Sequence, residues 1–462
     1  MAEKYTPDEP IAAVATALSP AALGIVRTSG KGCIELVSKL FSRPTALCST
    51  AGYTIVYGWI TDGTERIDEV LASVFRAPKS FTGEDMVEIS CHGGPSVVTA
   101  VHNLLLSHGF RQAERGEFTF RAYINGKTDL TRAEAVREII DSHTDASRGR
   151  AAGRLAGSLY EEIDSIKKLL TDTLASIEVE VEYPEDEETI AGSFDRAGIE
   201  KAVGSLQTLA DSWKSEKLYQ DGARVVLCGR TNAGKSSLFN AILKEDRAIV
   251  SEVAGTTRDW LESWASFDGI PVRLFDTAGL RETTDVVEKQ GVELTRSLTK
   301  DADVVLYLID SGFGFAGDDG QFLRQCGEPV VIVWNKCDKA GERKQLTTEQ
   351  KKLISRFESE VYVSAKSGTG IADLLKSVKN ILTAGMSTER IQAGLGSARQ
   401  KAAVEEALES VKHSLVSADD NYTLDAVVQD LEDALESLGE VTGEVTPDDV
   451  LGSIFSRFCV GK

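Results

Sequence analysis

The run Gly229-Arg230-Thr231-Asn232-Ala233-Gly234-Lys235-Ser236 has the spacing G-x-x-x-x-G-K-[ST]. An apolar run, Arg224 to Cys228, precedes it, and Ser237-Leu238-Phe239-Asn240 opens a helical pattern after it. That strand–loop–helix context is what the spacing requires of a phosphate cradle. Glycines let successive backbone N–H groups wrap a polyphosphate, and the helix N-terminus adds its positive end. Lys235 is expected to reach the β- and γ-phosphates and the Ser236 hydroxyl to ligate Mg²⁺. Further segments follow in the order a GTP hydrolase needs: Gly255-Thr256-Thr257-Arg258-Asp259, Asp276-Thr277-Ala278-Gly279, Asn335-Lys336-Cys337-Asp338 and Ser364-Ala365-Lys366. Each is weak alone, but their order makes chance remote. Thr257 is the expected second Mg²⁺ ligand. The candidate GTP contacts are Asn232, Ala233, Gly234, Lys235, Ser236, Ser237, Ser251, Thr256, Thr257, Asp276, Thr277, Ala278, Gly279, Asn335, Lys336, Asp338, Ser364, Ala365 and Lys366.

The base follows from chemistry. Guanine presents N1–H beside its exocyclic amine, and the Asp338 carboxylate can accept from both in a fork. Adenine lacks that pair, and an unsatisfied buried carboxylate penalises the wrong base. One position departs from a Ras-like hydrolase, in which a glutamine just after the switch glycine orients the attacking water. Here that position is Leu280. Arg230, Arg258 and Arg281 are nearby cations, each read first as structural or solvated.

These loops need a rigid support. The runs 224–228, 272–275, 304–309 and 330–334 are nearly continuous in apolar residues, the pattern of a parallel sheet covered on both faces. Residues 1 to about 125 instead alternate short β-like runs (23–27, 53–57, 86–90) with glycine turns and one helix-like run at 95–107, as an α+β domain does. From Thr131 the spacing turns helical. Thr131-Arg132-Ala133-Glu134 reads as a capping box followed by an apolar stripe through Ala135, Ile139 and Ile140, and helical spacing resumes at Leu159, Ile163, Ile166, Leu169 and Leu170. The acidic run Glu178 to Glu188 reads as a solvated loop. Helical spacing returns at 402–415 and 424–438. The expected architecture is multidomain: an N-terminal α+β domain (1–127), a helical domain in two parts (128–220 and 384–462), and an inserted P-loop Ras-like G domain of α/β type (221–383). Insertion is tolerated when a guest's termini lie close together.

Composition narrows the function. Net charge is −21, which repels a nucleic-acid backbone unless a partner supplies affinity. The 7 cysteines are scattered without a C-x-x-C pair, so neither a disulfide framework nor a structural zinc site is expected. No apolar run approaches the roughly eighteen residues of a membrane span, and a cytoplasmic protein is the simplest reading.

The motif set together with both chain ends resembles the MnmE (TrmE) family of tRNA-modifying GTPases. The resemblance spans essentially the whole chain. It rests on Gly24-Ile25-Val26-Arg27-Thr28-Ser29-Gly30, Ser80-Phe81-Thr82-Gly83-Glu84-Asp85, His92-Gly93-Gly94-Pro95, Arg115-Gly116-Glu117-Phe118-Thr119, Lys127-Thr128-Asp129-Leu130 and the ending Cys459-Val460-Gly461-Lys462. It implies a folate-binding N-terminal domain and a homodimer. It also implies an FAD-containing, MnmG-type partner, in a heterotetramer or larger complex that installs an aminomethyl-type group on C5 of the wobble uridine of certain tRNAs. The one-carbon donor would be a tetrahydrofolate derivative in the 5-formyl or methylene form.

By position, the resemblance makes Asn232 a K⁺ ligand, with Ser251, Val253 and Thr256 completing that site. It makes Glu288 the switch carboxylate that positions water, although alone Glu288 reads as an exposed helix residue. Arg27, Glu88, Lys127 and Lys462 become folate-binding positions. Cys459 is either a reactive thiol beside the folate or a structural cysteine. The stretch Ala15 to Gly24 is poorer in glycine and proline than the family pattern, which bears on the folate pocket or the dimer contacts. The alternative reading is an Era-type regulatory or ribosome-assembly GTPase, but those append a basic RNA-binding module that this acidic chain lacks.

Overall fold

The computed structural model describes residues 9–182, 194–245, 261–277, 298–339, 345–357, 359–386, 393–419 and 424–462. The chain divides into two compact units, residues 1–137, 155–206 and 402–462 in one, 138–154 and 207–401 in the other.

In the first unit, strands β1 (Ile11–Val14), β2 (Leu23–Ser29), β3 (Thr54–Asp62), β4 (Glu65–Phe75), β5 (Met86–His92) and β6 (Arg111–Gln112) form one sheet in the order β3-β4-β5-β2-β1-β6. Neighbours are antiparallel except β1 and β6. Period-two alternation decides the faces: along β4, Val70, Ala72 and Val74 are buried while Glu69 and Leu71 are exposed. The buried face packs on Ile34, Val37, Leu47, Val98 and Leu105 of the covering helices. On the other face Arg27 lies opposite Glu88, in register with Ser73 and Ile55.

The chain end closes this unit. Val460 bridges Arg115, and the Phe118 N–H donates to Lys462 O at 3.2 Å. Gly116 has φ 69°, and a Cβ there would lie 2.5 Å from Phe455 O, so the tail can dock only against glycine. The helix Ser158–Glu182 packs against Leu424–Thr442, with Leu159, Ile163, Ile166 and Leu170 buried at helical spacing. Two expectations need correction. The first residues of the acidic run continue the helix to Glu182 rather than forming a loop, since Glu is a good helix former. Thr131 is inside the helix Leu130–Asp141, and Asp129 is the cap: its Oδ1 accepts from Arg132 N–H at 3.0 Å.

In the second unit, β7 (Ala223–Gly229), β8 (Leu261–Phe267), β9 (Ile270–Asp276), β10 (Val304–Asp310), β11 (Val330–Asn335) and β12 (Ser359–Tyr362) are ordered β12-β11-β10-β7-β9-β8. All neighbours are parallel except β8, an antiparallel edge. Alternate residues of the central strands enter separate cores, Val225, Leu227, Leu306 and Val333 on one face, Val226, Tyr307, Ile309 and Ile332 on the other. Burial of both faces explains the continuous apolar runs.

The same unit contains a buried ionic cluster. Arg154, 2% exposed, donates to Glu138 Oε2 (2.8 Å) and Glu216 Oε2 (2.7 Å), and Arg150 pairs with Glu216 as well. Removing one member of such a cluster strands the others. Arg154→Ala is expected to destabilise the unit by about 3–5 kcal/mol. The readout is the shift in the urea transition at which nucleotide binding is lost, and a shift under about 1 kcal/mol would show the cluster to be dispensable.

Candidate functional sites

The G-domain loops converge beyond the C-terminal ends of the parallel strands, where ligands of open α/β sheets bind. Gly229 (φ 134°) and Gly234 (φ 96°) have no room for a side chain: a Cβ would lie 2.4 Å from Leu308 O or 2.3 Å from Asn335 Nδ2. Lys235 is buried, and its Nζ donates to Gly229 O (2.9 Å) and Arg230 O (3.0 Å), so the cation is held inside the loop it serves. Asn335, 1% exposed, ties three loops together: Nδ2 donates to Ala233 O (2.9 Å), while Oδ1 accepts from the N–H of Lys336 (2.8 Å) and of Ala365 (3.2 Å).

Beside these loops is a cavity of about 620 Å³ whose lining includes Gly234, Asn335, Lys336, Asp338, Ala365 and Lys366. Asp338 Oδ1 accepts from Ser364 Oγ at 2.7 Å, and this hydrogen bond holds its carboxyl below the usual carboxylate range. The carboxylate is therefore aimed and ionised. Asp276 is fully buried at the end of β9, beside Leu227 of β7, and Ser236 is exposed at the loop's end. A hydroxyl and a carboxylate are hard oxygen donors, which suits Mg²⁺.

A second cluster stands on the sheet of the first unit. Arg27 Nε donates to Glu88 Oε1 (2.8 Å) and Nη1 to Gly461 O (3.2 Å). Its guanidinium lies 5.4 Å from the ring centroid of Phe81 and 5.6 Å from that of Phe118. Gly461 turns the tail at φ 92°, where a Cβ would meet Val14 O at 2.7 Å. Burial, then the nearby Arg27 charge, push the Lys462 ammonium below its ordinary range, against the pull of Glu88 and Cys459. Cations, a carboxylate and aromatic rings at one place fit a heteroaromatic ligand with an anionic tail.

Comparison with known proteins identifies the family. The family model "MnmE helical domain" matches residues 130–459, and "GTP-binding protein TrmE N-terminus" matches residues 10–127. The tRNA modification GTPase MnmE of Treponema denticola is 50% identical over 474 residues, spanning 99% of each chain. That of Treponema pallidum is 43% identical over the full length of both. The chain belongs to the MnmE family of tRNA modification GTPases. Membership gives a TrmE-type N-terminal domain, a helical domain and a P-loop G domain. Among solved structures, Aquifex aeolicus Era is 27% identical over 41% of this chain and 66% of that one, with a TM-score of 0.27.

Within this MnmE-family chain, the sequence-derived positions fare differently. Asn232, Ala233, Gly234, Lys235, Asn335, Lys336, Asp338, Ser364 and Ala365 are brought together by the bonds and cavity above, and Lys366 and Ser237 line that cavity. Thr277 turns inward, its Oγ1 donating to Leu227 O at 2.8 Å. Arg230 stacks over Phe313 at 4.7 Å. Ser251, Val253, Thr256, Thr257, Arg258, Ala278, Gly279, Leu280, Arg281 and Glu288 lie outside the described residues. Arg27, Glu88, Cys459 and Lys462 share one cluster. Lys127 bonds instead to Pro78 O (3.1 Å), on the loop that carries Phe81.

The aromatic pair Phe81 and Phe118 was not singled out from sequence, nor was the support beneath it. Arg121, fully buried, donates to Glu84 (3.0 Å) and Glu117 (2.9 Å), and Ser29 Oγ donates to Glu84 at 2.7 Å. Among the described residues, no helix is long and apolar enough to cross a membrane.

Proposed function

We propose that this chain hydrolyses Mg-GTP and, with an FAD-containing MnmG-type partner in a heterotetramer or larger complex, modifies C5 of the wobble uridine of certain tRNAs by aminomethyl or carboxymethylaminomethyl addition. The observation that carries this reading is the pairing, in one family member, of a guanine-type loop set with a tail-built cluster. In that cluster Arg27 binds Gly461 across 434 positions. The domain limits proposed are 1–127 for a folate and dimer domain and 221–383 for the inserted G domain, between helical parts 128–220 and 384–462; the compact units of the structure divide at other positions.

In the G domain the loop N–H groups and Lys235 bind the β- and γ-phosphates, and Asp338 accepts from guanine. Ser236 and Thr257 would hold Mg²⁺; Asn232, Ser251, Val253 and Thr256 would hold K⁺. When bound, these ions neutralise charge spread over the phosphoryl oxygens. Glu288 orients the attacking water, the task that Leu280 lacks the polar atoms to perform. Hydrolysis is therefore expected to be at least tenfold faster in K⁺ than in Na⁺ at equal ionic strength, a difference of about 1.4 kcal/mol in barrier. Equal rates would remove the cation from the account.

In the N-terminal domain, a tetrahydrofolate derivative in the 5-formyl or methylene form supplies the one-carbon unit. Glu88, oriented through Oε1 by Arg27, accepts from the pterin ring, while Lys127 and Lys462 attract the anionic tail. Cys459 lies within electrostatic reach of Lys462 and is the candidate thiol nucleophile. A homodimer is supported by the outward sheet face, where Ile55 (62% exposed), Tyr57 (48%) and Leu71 (46%) form an uncovered apolar stripe next to Arg27 and Glu88. The setting proposed is the cytoplasm, where charged tRNA and nucleotide pools are available.

A further inference from the structure

We infer that the turn from Asp310 to Gly314 braces the phosphate loop, and that Asp310 and Phe313 are positioning residues for the phosphates of GTP. The turn follows β10, whose end runs directly beneath the loop: Leu308 lies in register with Gly229 and leaves no space for a side chain there. Two contacts rise from the turn. Asp310 Oδ2 accepts from Lys336 Nζ at 2.8 Å, and the same ammonium donates to Asn232 O at 2.6 Å. Phe313 lies under the Arg230 guanidinium at 4.7 Å. The loop is thus gripped at Arg230 and at Asn232, on either side of Thr231.

The grip has a physical purpose. Asn232 (φ 61°) and Lys336 (φ 62°) both hold left-handed backbone without being glycine. Asparagine tolerates this region better than most residues, whereas a lysine holds it only where surrounding bonds over-determine it. Asn232 is exposed, and two bonds restrain its turn: Lys336 Nζ to the Asn232 carbonyl and Ala233 N–H to Arg230 O at 3.2 Å. Lys336 in turn needs a fixed anchor. Asp310 is fixed because Oδ1 accepts from Gly312 N–H (2.9 Å) and its carbonyl accepts from Phe313 N–H (3.1 Å) and Gly314 N–H (2.9 Å). Burial pushes the Asp310 carboxyl up, but the Lys336 ammonium and the Gly312 and Phe313 N–H groups outweigh it and hold the group below its ordinary range. A cradle shaped before the ligand arrives spends no binding free energy on ordering the loop. Loss of the brace should therefore weaken nucleotides that carry a β-phosphate, without touching base selection at Asp338.

The inference rests on the GTP site proposed above. The test titrates the full chain with fluorescent GDP and GTP, with GMP measured by competition. Asp310→Asn keeps an oxygen for the Gly312 N–H but removes the charge facing Lys336. It is expected to weaken GTP and GDP about tenfold, the scale of a charge-assisted bond. Phe313→Leu is expected to weaken them about threefold, as loss of an exposed cation–π contact does. GMP affinity should change less than about twofold, and the melting temperature of the nucleotide-free protein should stay within about 2 °C. An equal loss for all three nucleotides would move the effect to the base and overturn the brace. So would unchanged GTP affinity, or a loss that tracks a lowered melting temperature. Failure of the unaltered protein to bind GTP would instead sink the site itself.

Discussion

Asp338→Asn is expected to weaken GTP binding about a thousandfold and to make XTP the better ligand. Guanine offers Asp338 two donors, and two hydrogen bonds to a charged acceptor contribute about 1.5–3 kcal/mol each. An asparagine amide turns one acceptor into a donor, which faces the guanine amine and repels it. Xanthine carries an oxygen at that position and accepts the new donor. Ser364 Oγ, now 2.7 Å from Oδ1, can still donate to an amide oxygen, so the loop that presents the residue survives the change. Competition of GTP and XTP against a fluorescent nucleotide reads the outcome. GTP affinity within about threefold of the original would mean that the cavity between Asn335 and Ala365 does not read the base.

Arg27→Ala is the second large effect. The substitution removes the ion pair to Glu88, the bond to Gly461 O that holds the tail, and a flat cation between two aromatic rings. Binding of 5-formyl-tetrahydrofolate is expected to fall about a hundredfold or more, since losing a paired charge at a partly buried site costs roughly 2–5 kcal/mol. Arg27→Lys should fall between the two, because an ammonium keeps the charge but neither stacks as a plane nor bridges two acceptors. Calorimetry reads both, and unchanged heat and affinity for the alanine variant would separate this cluster from folate.

Some of this was legible in sequence and some was not, for reasons of range. The phosphate loop is local: Gly229 and Gly234 are required by contacts that recur wherever a strand, a loop and a helix cradle phosphate, so their spacing suffices. The parallel sheet was legible because burial on both faces writes continuous apolar runs. The edge strand Leu261–Phe267 was not identified, since Glu262, Ser263 and Ser266 interrupt its apolar residues. Asp129 and Thr131 are both cap-forming types two positions apart, and only the backbone decides between them. Arg154 looks solvated in sequence; its burial is visible only once Glu138 and Glu216 meet it from separate helices.

The tail cluster is the extreme case. Nothing local in Cys459-Val460-Gly461-Lys462 states that it will lie against Arg27, and only the likeness to a family joined them. Phe81 and Phe118 fall inside the motifs of that likeness, but neither was given a role, because an aromatic on a loop and one on a helix carry no mark of the cation they share.

The most direct test of the central claim is nucleoside analysis of tRNA from cells lacking this protein. The account predicts an unmodified C5 at the wobble uridine of the affected tRNAs, restored by the unaltered gene but not by Asp338→Asn or Arg27→Ala. A nucleoside profile identical with and without the protein would contradict it.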